Sequence, residues 1–140
     1  MIVKMSAMLR VTGPFQELSA ALRTVSLKFS ESIASTKARE RNDSTDDGRS
    51  TFNLTVSDAD GDRVPQQIAE CESFFEQHEA ELSRLRKLSC VENICLDFMW
   101  FFPRSSQAQF NRLTSSFMKK CGEFGVDIEL SVYACADSDV

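Results

Sequence analysis

The sequence predicts an α+β fold: a ferredoxin-like βαββαβ sandwich with an added αβ unit, its mixed sheet carrying all helices on one face. Three observations carry that reading. Apolar residues switch repeatedly between a period of two and a helical period. The resulting order is β-α-β-β-α-β-α-β, whose first six elements form a split βαβ pair. The chain of 140 residues, 42% hydrophobic and 26% charged, has the length and composition of one globular domain.

Val3, Met5, Ala7, Leu9 and Val11 alternate with mostly polar neighbours and predict the first strand. Gly13-Pro14 ends it, and Pro14 suits the first turn of a helix over 14–24, whose stripe is Phe15, Leu18, Leu22 and Val25. Val25, Leu27 and Phe29 then alternate with Ser26, Lys28 and Ser30, predicting a second strand. Residues 30–50 hold five Ser, two Thr, five acids and four bases, without periodicity. They predict a mobile polar loop. Phe52, Leu54 and Val56 mark the third strand, and the Asp58–Asp62 stretch marks a turn.

Pro65 opens the longest predicted helix, running to about Lys87. Its seam is Ile68, Cys71, Phe75, His78, Leu82 and Leu85, in steps of three and four. Residues 91–102 form the strongest strand, with Ile94, Leu96, Phe98, Trp100 and Phe102 on one face. Ser105 or Ser106 can cap the next helix, with Phe110, Leu113, Phe117, Cys121 and Phe124 as its stripe. Gly122 and Gly125 stop it. Ile128, Leu130, Val132 and Ala134 alternate in a last strand, and 136–140 is a polar tail. The whole chain, 1–140, reads as one domain.

The net charge of −5 disfavours a general duplex-DNA binder, because non-specific affinity comes from cations that neutralise phosphates. The five cysteines, Cys71, Cys90, Cys95, Cys121 and Cys135, include no C-x-x-C pair. That spacing argues against zinc and redox dithiols and for no bound cofactor. The first ten residues are broken by Lys4, Ser6 and Arg10 and hold no signal-peptide apolar core. A cytoplasmic protein with five free thiols is the expectation. The Asp58–Asp62 turn has Arg63 and Ala69 where a calcium loop needs Gly and a bidentate Glu. His78 is the sole histidine and sits on the helix seam one turn beyond Cys71, so a Cys–His pair is conceivable but lacks any readable orienting group. The Gly122–Gly125 G-x-x-G matches an RNA-clamping loop in form, but Glu123 would repel phosphates.

Two surfaces have shape. The sheet face without helices collects Arg10, Asp97, Phe101 and Tyr133 near its middle; its aromatics suit stacking or a contact with a second copy. From Asp58 to Glu81 there are eight acids and one base. Glu72, Glu76 and Glu79 fall at i, i+4 and i+7 and share one stripe, so with Asp58, Asp60 and Asp62 they form a candidate docking surface for a basic protein.

The layout of 7–135 resembles the small bacterial domain-of-unknown-function family 4279. The shared opening "LR-x-T/S-G" is matched by Leu9-Arg10-Val11-Thr12-Gly13, and the closing "G-x-D-I/L-x-L-x-x-Y" by Gly125 to Tyr133. This chain departs in its long polar loop and in having Phe52 where members often carry Trp. The family has no assigned catalytic residues. The resemblance implies an immunity-type role, in which a non-enzymatic protein neutralises a cognate bacterial toxin. The leading expectation is therefore a protein-binding module using its acidic surface. A homo-oligomeric structural or regulatory domain, joined through the open sheet face, is the alternative. A small-ligand binder or cysteine-dependent enzyme is the third.

Overall fold

A computed structural model describes residues 5–41, 48–103 and 105–135. Val3 and Lys4 of the predicted first strand, residues 42–47 of the predicted loop and the polar tail lie outside them. In chain order the elements are β1 (Ala7–Pro14), α1 (Phe15–Leu22), β2 (Ser30–Glu31), α2 (Ile33–Glu40), β3 (Arg49–Ser57), α3 (Val64–Gln77), α4 (Glu79–Lys87), β4 (Asn93–Pro103), α5 (Ser115–Glu123) and β5 (Val126–Cys135).

The protein is α+β, with one open five-stranded mixed sheet in the order β2-β3-β1-β4-β5. Antiparallel β3 separates β1 from β2, which is the split βαβ arrangement. Antiparallel β4 flanks β1 on the other side, with Leu9 opposite Leu96. The added unit behaves as its sequence predicts: β5 pairs parallel to β4, Ile94 opposite Val126 and Phe101 opposite Tyr133.

Alternation decides the core. Ala7, Leu9, Val11, Ile94, Leu96, Phe98 and Trp100 point to one face and are buried there with Leu18, Leu22, Ile68, Cys71, Phe75, Leu82, Leu85, Phe117 and Cys121 from the helices. Phe75 is the hub, with edge-on ring contacts to Phe117 at 5.3 Å and Phe124 at 6.3 Å. Burying each such ring removes on the order of 150–250 Å² from water.

Four local expectations need correction. Residues 25–29 are not a strand. Val25 and Leu27 are buried as the alternation implies, but Val25 N–H bonds Leu22 O and Ser26 N–H bonds a Glu81 oxygen, so these donors never reach a neighbouring strand. Ladder pairing begins only at Ser30–Glu31. The predicted loop contains α2, whose N-cap Ser32 accepts the Ser35 N–H at 3.2 Å. The predicted long helix bends at His78, whose φ of −119° departs from helical geometry, while Leu82 N–H still bonds His78 O. The last helix starts at Ser115, not near Ser106, because Thr114 caps it and accepts the Phe117 N–H. Phe110, predicted on that stripe, is 93% exposed.

Candidate functional site

The open sheet face is built by the second parity of β1, β3, β4 and β5. Cross-strand register sets Arg10 beside Cys95, and Asp97 beside Met8 and Glu129. Arg10 Nη2 reaches Asp97 Oδ2 at 3.0 Å, and Ser131 Oγ donates to Asp97 Oδ1 at 2.7 Å. Asp97 is only 2% exposed, so its carboxylate serves the sheet, with both oxygens engaged. Cys95 Sγ lies 3.8 Å from Glu129 Oε2. Phe101 is also buried. The Asp58–Asp62 turn lies against the backbone of this end of β4: Phe101 N–H bonds Gly61 O, and the Gly61 Cα approaches so closely that a Cβ there would stand 2.9 Å from Met99 O. Of the four predicted face residues, Arg10 and Asp97 form an internal ion pair, Phe101 is covered, and Tyr133 stays exposed.

The acidic set divides in the same manner. Asp60 Oδ1 accepts the Met5 and Gly61 N–H groups at 3.0 and 2.8 Å, so it holds the turn. Asp58 and Asp62 are exposed beside it. On the helices, Glu76 and Glu79 converge on Lys120 of α5, at 3.8 and 3.2 Å from its Nζ. Glu72 joins Glu76, Ser116, Phe117 and Lys120 around a small cavity of about 80 Å³. The three glutamates thus lie where α3, α4 and α5 meet, with Lys120 among them. Glu70 and Glu81, in the same acidic run, have structural duties. Glu70 accepts from Ser57 Oγ at 3.0 Å, and Glu81 from Ser26 N–H at 2.8 Å. The Ser26 backbone bond holds the Glu81 carboxyl below its ordinary range.

The Cys–His pair has no chemical support. Burial pushes the Cys71 thiol far above its ordinary value, and the charges of Glu70 and Glu72 push it further. A nucleophilic cysteine needs a neighbouring cation or dipole that favours thiolate. His78 instead packs at a tilt against Phe74, ring centres 4.5 Å apart. Cys121 is raised to about 12 by burial, and Cys95 to about 11 by burial and then the Glu129 charge. Cys71, Cys90, Cys95 and Cys121 are free thiols. Among the described residues, no group of three or more His, Cys, Asp or Glu is placed to hold a metal ion. No helix there is long and apolar enough to cross a membrane.

Sequence reasoning missed one carboxylate of note. Glu31 accepts from Thr36 Oγ1 at 2.8 Å, from Arg39 Nη2 at 2.7 Å and from Ser50 Oγ at 2.7 Å. It ties β2, α2 and β3 together, and Arg39 also lies 4.1 Å over the Phe15 ring. No hydrophobic period signals it, since its partners are polar side chains from two other elements, α2 and β3.

No family model, no curated protein and no solved structure matches the chain.

Proposed function

We propose that this protein is a non-enzymatic protein-binding module whose partner presents a basic surface to Glu72, Glu76 and Glu79. The observation that carries the reading is the contrast among the acids. Asp60, Glu31, Glu70, Glu81 and Asp97 hold the fold through hydrogen bonds, whereas Glu76 and Glu79 of the stripe have one ion-pair partner among the described residues, the shared Lys120. Exposed like charges one turn apart cost about 0.2–0.5 kcal/mol per pair, a cost that a cationic partner removes. A field of one sign also speeds association. The resemblance to family 4279 supports a bacterial toxin as that partner, neutralised in the manner of an immunity protein. Within this surface Asp58 and Asp62 extend the negative field, and Asp60 positions the turn that carries them.

The test is charge reversal. Glu72, Glu76 and Glu79 are changed to Lys in one variant. Glu17, Glu40 and Glu123, exposed acids elsewhere, are changed to Lys in a control of equal net charge. Affinity capture from the native host is run with both at rising salt. A captured protein that is lost with the stripe variant and with salt, but kept by the control, supports the reading. Equal capture by both variants overturns it.

A further inference from the structure

The two edges of the sheet are finished differently. On one side, β2 covers part of β3, and the start of α2 covers more: Ser32 N–H bonds Thr51 O at 2.8 Å, and Thr51 N–H bonds Ser35 Oγ at 2.9 Å. On the other side, β5 is the terminal strand over its full ten residues. Edge strands left open invite pairing, and proteins blunt them with proline, lysine, bulges or short length. Val126–Cys135 has no proline, no lysine and no shift in its register with β4. Its helix-side residues also outrun the helices. Ile128 packs against the core, but Leu130 and Val132 are 48% and 52% exposed, and Tyr133 on the opposite face is 46% exposed.

We infer that β5 is a homodimer edge, pairing antiparallel with β5 of a second copy about a two-fold axis through Ser131. The strand's own charges exclude the axes at Ile128 and Glu129, and the axis at Ser131 is the one that sets Leu130 and Val132, the two exposed apolar residues of this face, directly against each other. Same-face residues oppose one another only when the axis passes through a residue, since a one-residue slip turns side chains to the other face. An axis at Ile128 sets Asp127 against Glu129, and one at Glu129 sets that carboxylate against its own mate; like charges directly opposite are destabilising. An axis at Ser131 sets Leu130 against Val132 twice, which covers both exposed apolar residues. It also sets Glu129 against Tyr133, so the phenol O–H can donate to the carboxylate. The sheet becomes ten-stranded and continuous, and the isologous contact closes at two copies. This interface lies apart from the Glu72–Glu79 stripe and does not depend on it.

The experiment is light scattering of the purified full chain across a range of concentrations, with thermal melts alongside. The wild type is expected at twice 15.8 kDa at high concentration. Leu130→Lys should be monomeric, with an unchanged melting temperature at low concentration, because the side chain already faces solvent. Adding Val132→Glu to Leu130→Lys should restore the dimer, since each introduced ammonium then opposes an introduced carboxylate of the other copy. A monomeric wild type at every concentration overturns the proposal. So does a dimer that survives Leu130→Lys, or a double variant that stays monomeric.

Discussion

The indole N–H of Trp100 donates to Gln67 Oε1 at 2.9 Å, joining the first turn of α3 to the buried face of β4. Gln67 is fully buried, and its amide nitrogen donates in turn to Ala59 O at 3.0 Å. One side chain thus satisfies the indole and anchors the turn that bonds the Phe101 backbone. Gln67→Leu should cost about 2–4 kcal/mol, because it strands a buried donor and a buried acceptor. Adding Trp100→Phe should recover part of that loss, since the stranded donor is then gone. Denaturant melts of the three variants check this, and a neutral Gln67→Leu would refute it.

The Arg10–Asp97 pair should also prove structural. Arg10→Ala leaves a carboxylate that is 2% exposed, with the Ser131 hydroxyl as its remaining side-chain donor among the described residues. The expected loss is about 2 kcal/mol, below the cost of breaking a fully buried pair, because the guanidinium is 35% exposed. A double-mutant cycle with Asp97→Ala should give a coupling of about 1 kcal/mol or more. Additive losses would show that the two groups act independently.

Two glycines should respond in opposite directions to the same substitution. A Cβ at Gly13 would run into the backbone carbonyl of Cys90, whereas a Cβ at Gly122 meets nothing within 4 Å. Gly13→Ala should therefore lower stability by about 1–3 kcal/mol through overpacking. Gly122→Ala, inside α5, should raise it by about 0.5–1 kcal/mol. Paired thermal melts decide the matter.

Glu31 makes a pH prediction. The Arg39 hydrogen bond, then the Ser50 and Thr36 hydroxyls, hold its carboxyl below the ordinary 4.5 in the folded state. A carboxyl lowered by folding adds stability above its unfolded value, and that contribution is lost as pH falls through the folded value. Wild-type melting temperature should therefore drop below about pH 4.5 more steeply than that of Glu31→Gln. At neutral pH the variant should be weaker by on the order of 1 kcal/mol, as charged hydrogen bonds become neutral ones. Parallel acid profiles would count against this role.

The sheet was legible in the sequence because its strands are amphipathic: Leu9, Val11, Ile94, Leu96 and Phe98 alternate cleanly and are buried as read. Alternation reports burial, however, and not hydrogen bonding. Val25 and Leu27 satisfy the pattern inside a segment that joins no strand ladder among the described residues. Conversely, α2 buries no residue and is held by Ser32, Glu31 and Arg39, so no hydrophobic period could announce it. Phe110 mimics a helical stripe, but the Thr114 hydroxyl sets the helix start. The residues of the opening and closing sequence motifs, Leu9–Gly13 and Gly125–Tyr133, read mainly as scaffold. Arg10 is ion-paired to Asp97, Gly13 abuts Cys90, Gly125 takes φ +67°, and Asp127 accepts from Asn93 at 2.9 Å. The acidic stripe was readable from its i, i+4, i+7 spacing, but Lys120, which meets it from another helix, was not.

The placement of β1 at the centre of the sheet has a consequence for how the chain reaches its native state. Leu9 pairs with Leu54 on one side and Leu96 on the other, and both partners come later in the chain. No local hairpin can satisfy β1, since α1 and the α2 region precede its first partner and α3 and α4 precede its second. Ordering that central strand requires closure of two long loops, an entropy cost met before the contacts are gained. The β4-α5-β5 unit, by contrast, is contiguous. The expected slow event in refolding is therefore the arrival of β4 on β1, and core substitutions at Leu9 or Leu96 should slow it more than those in α5.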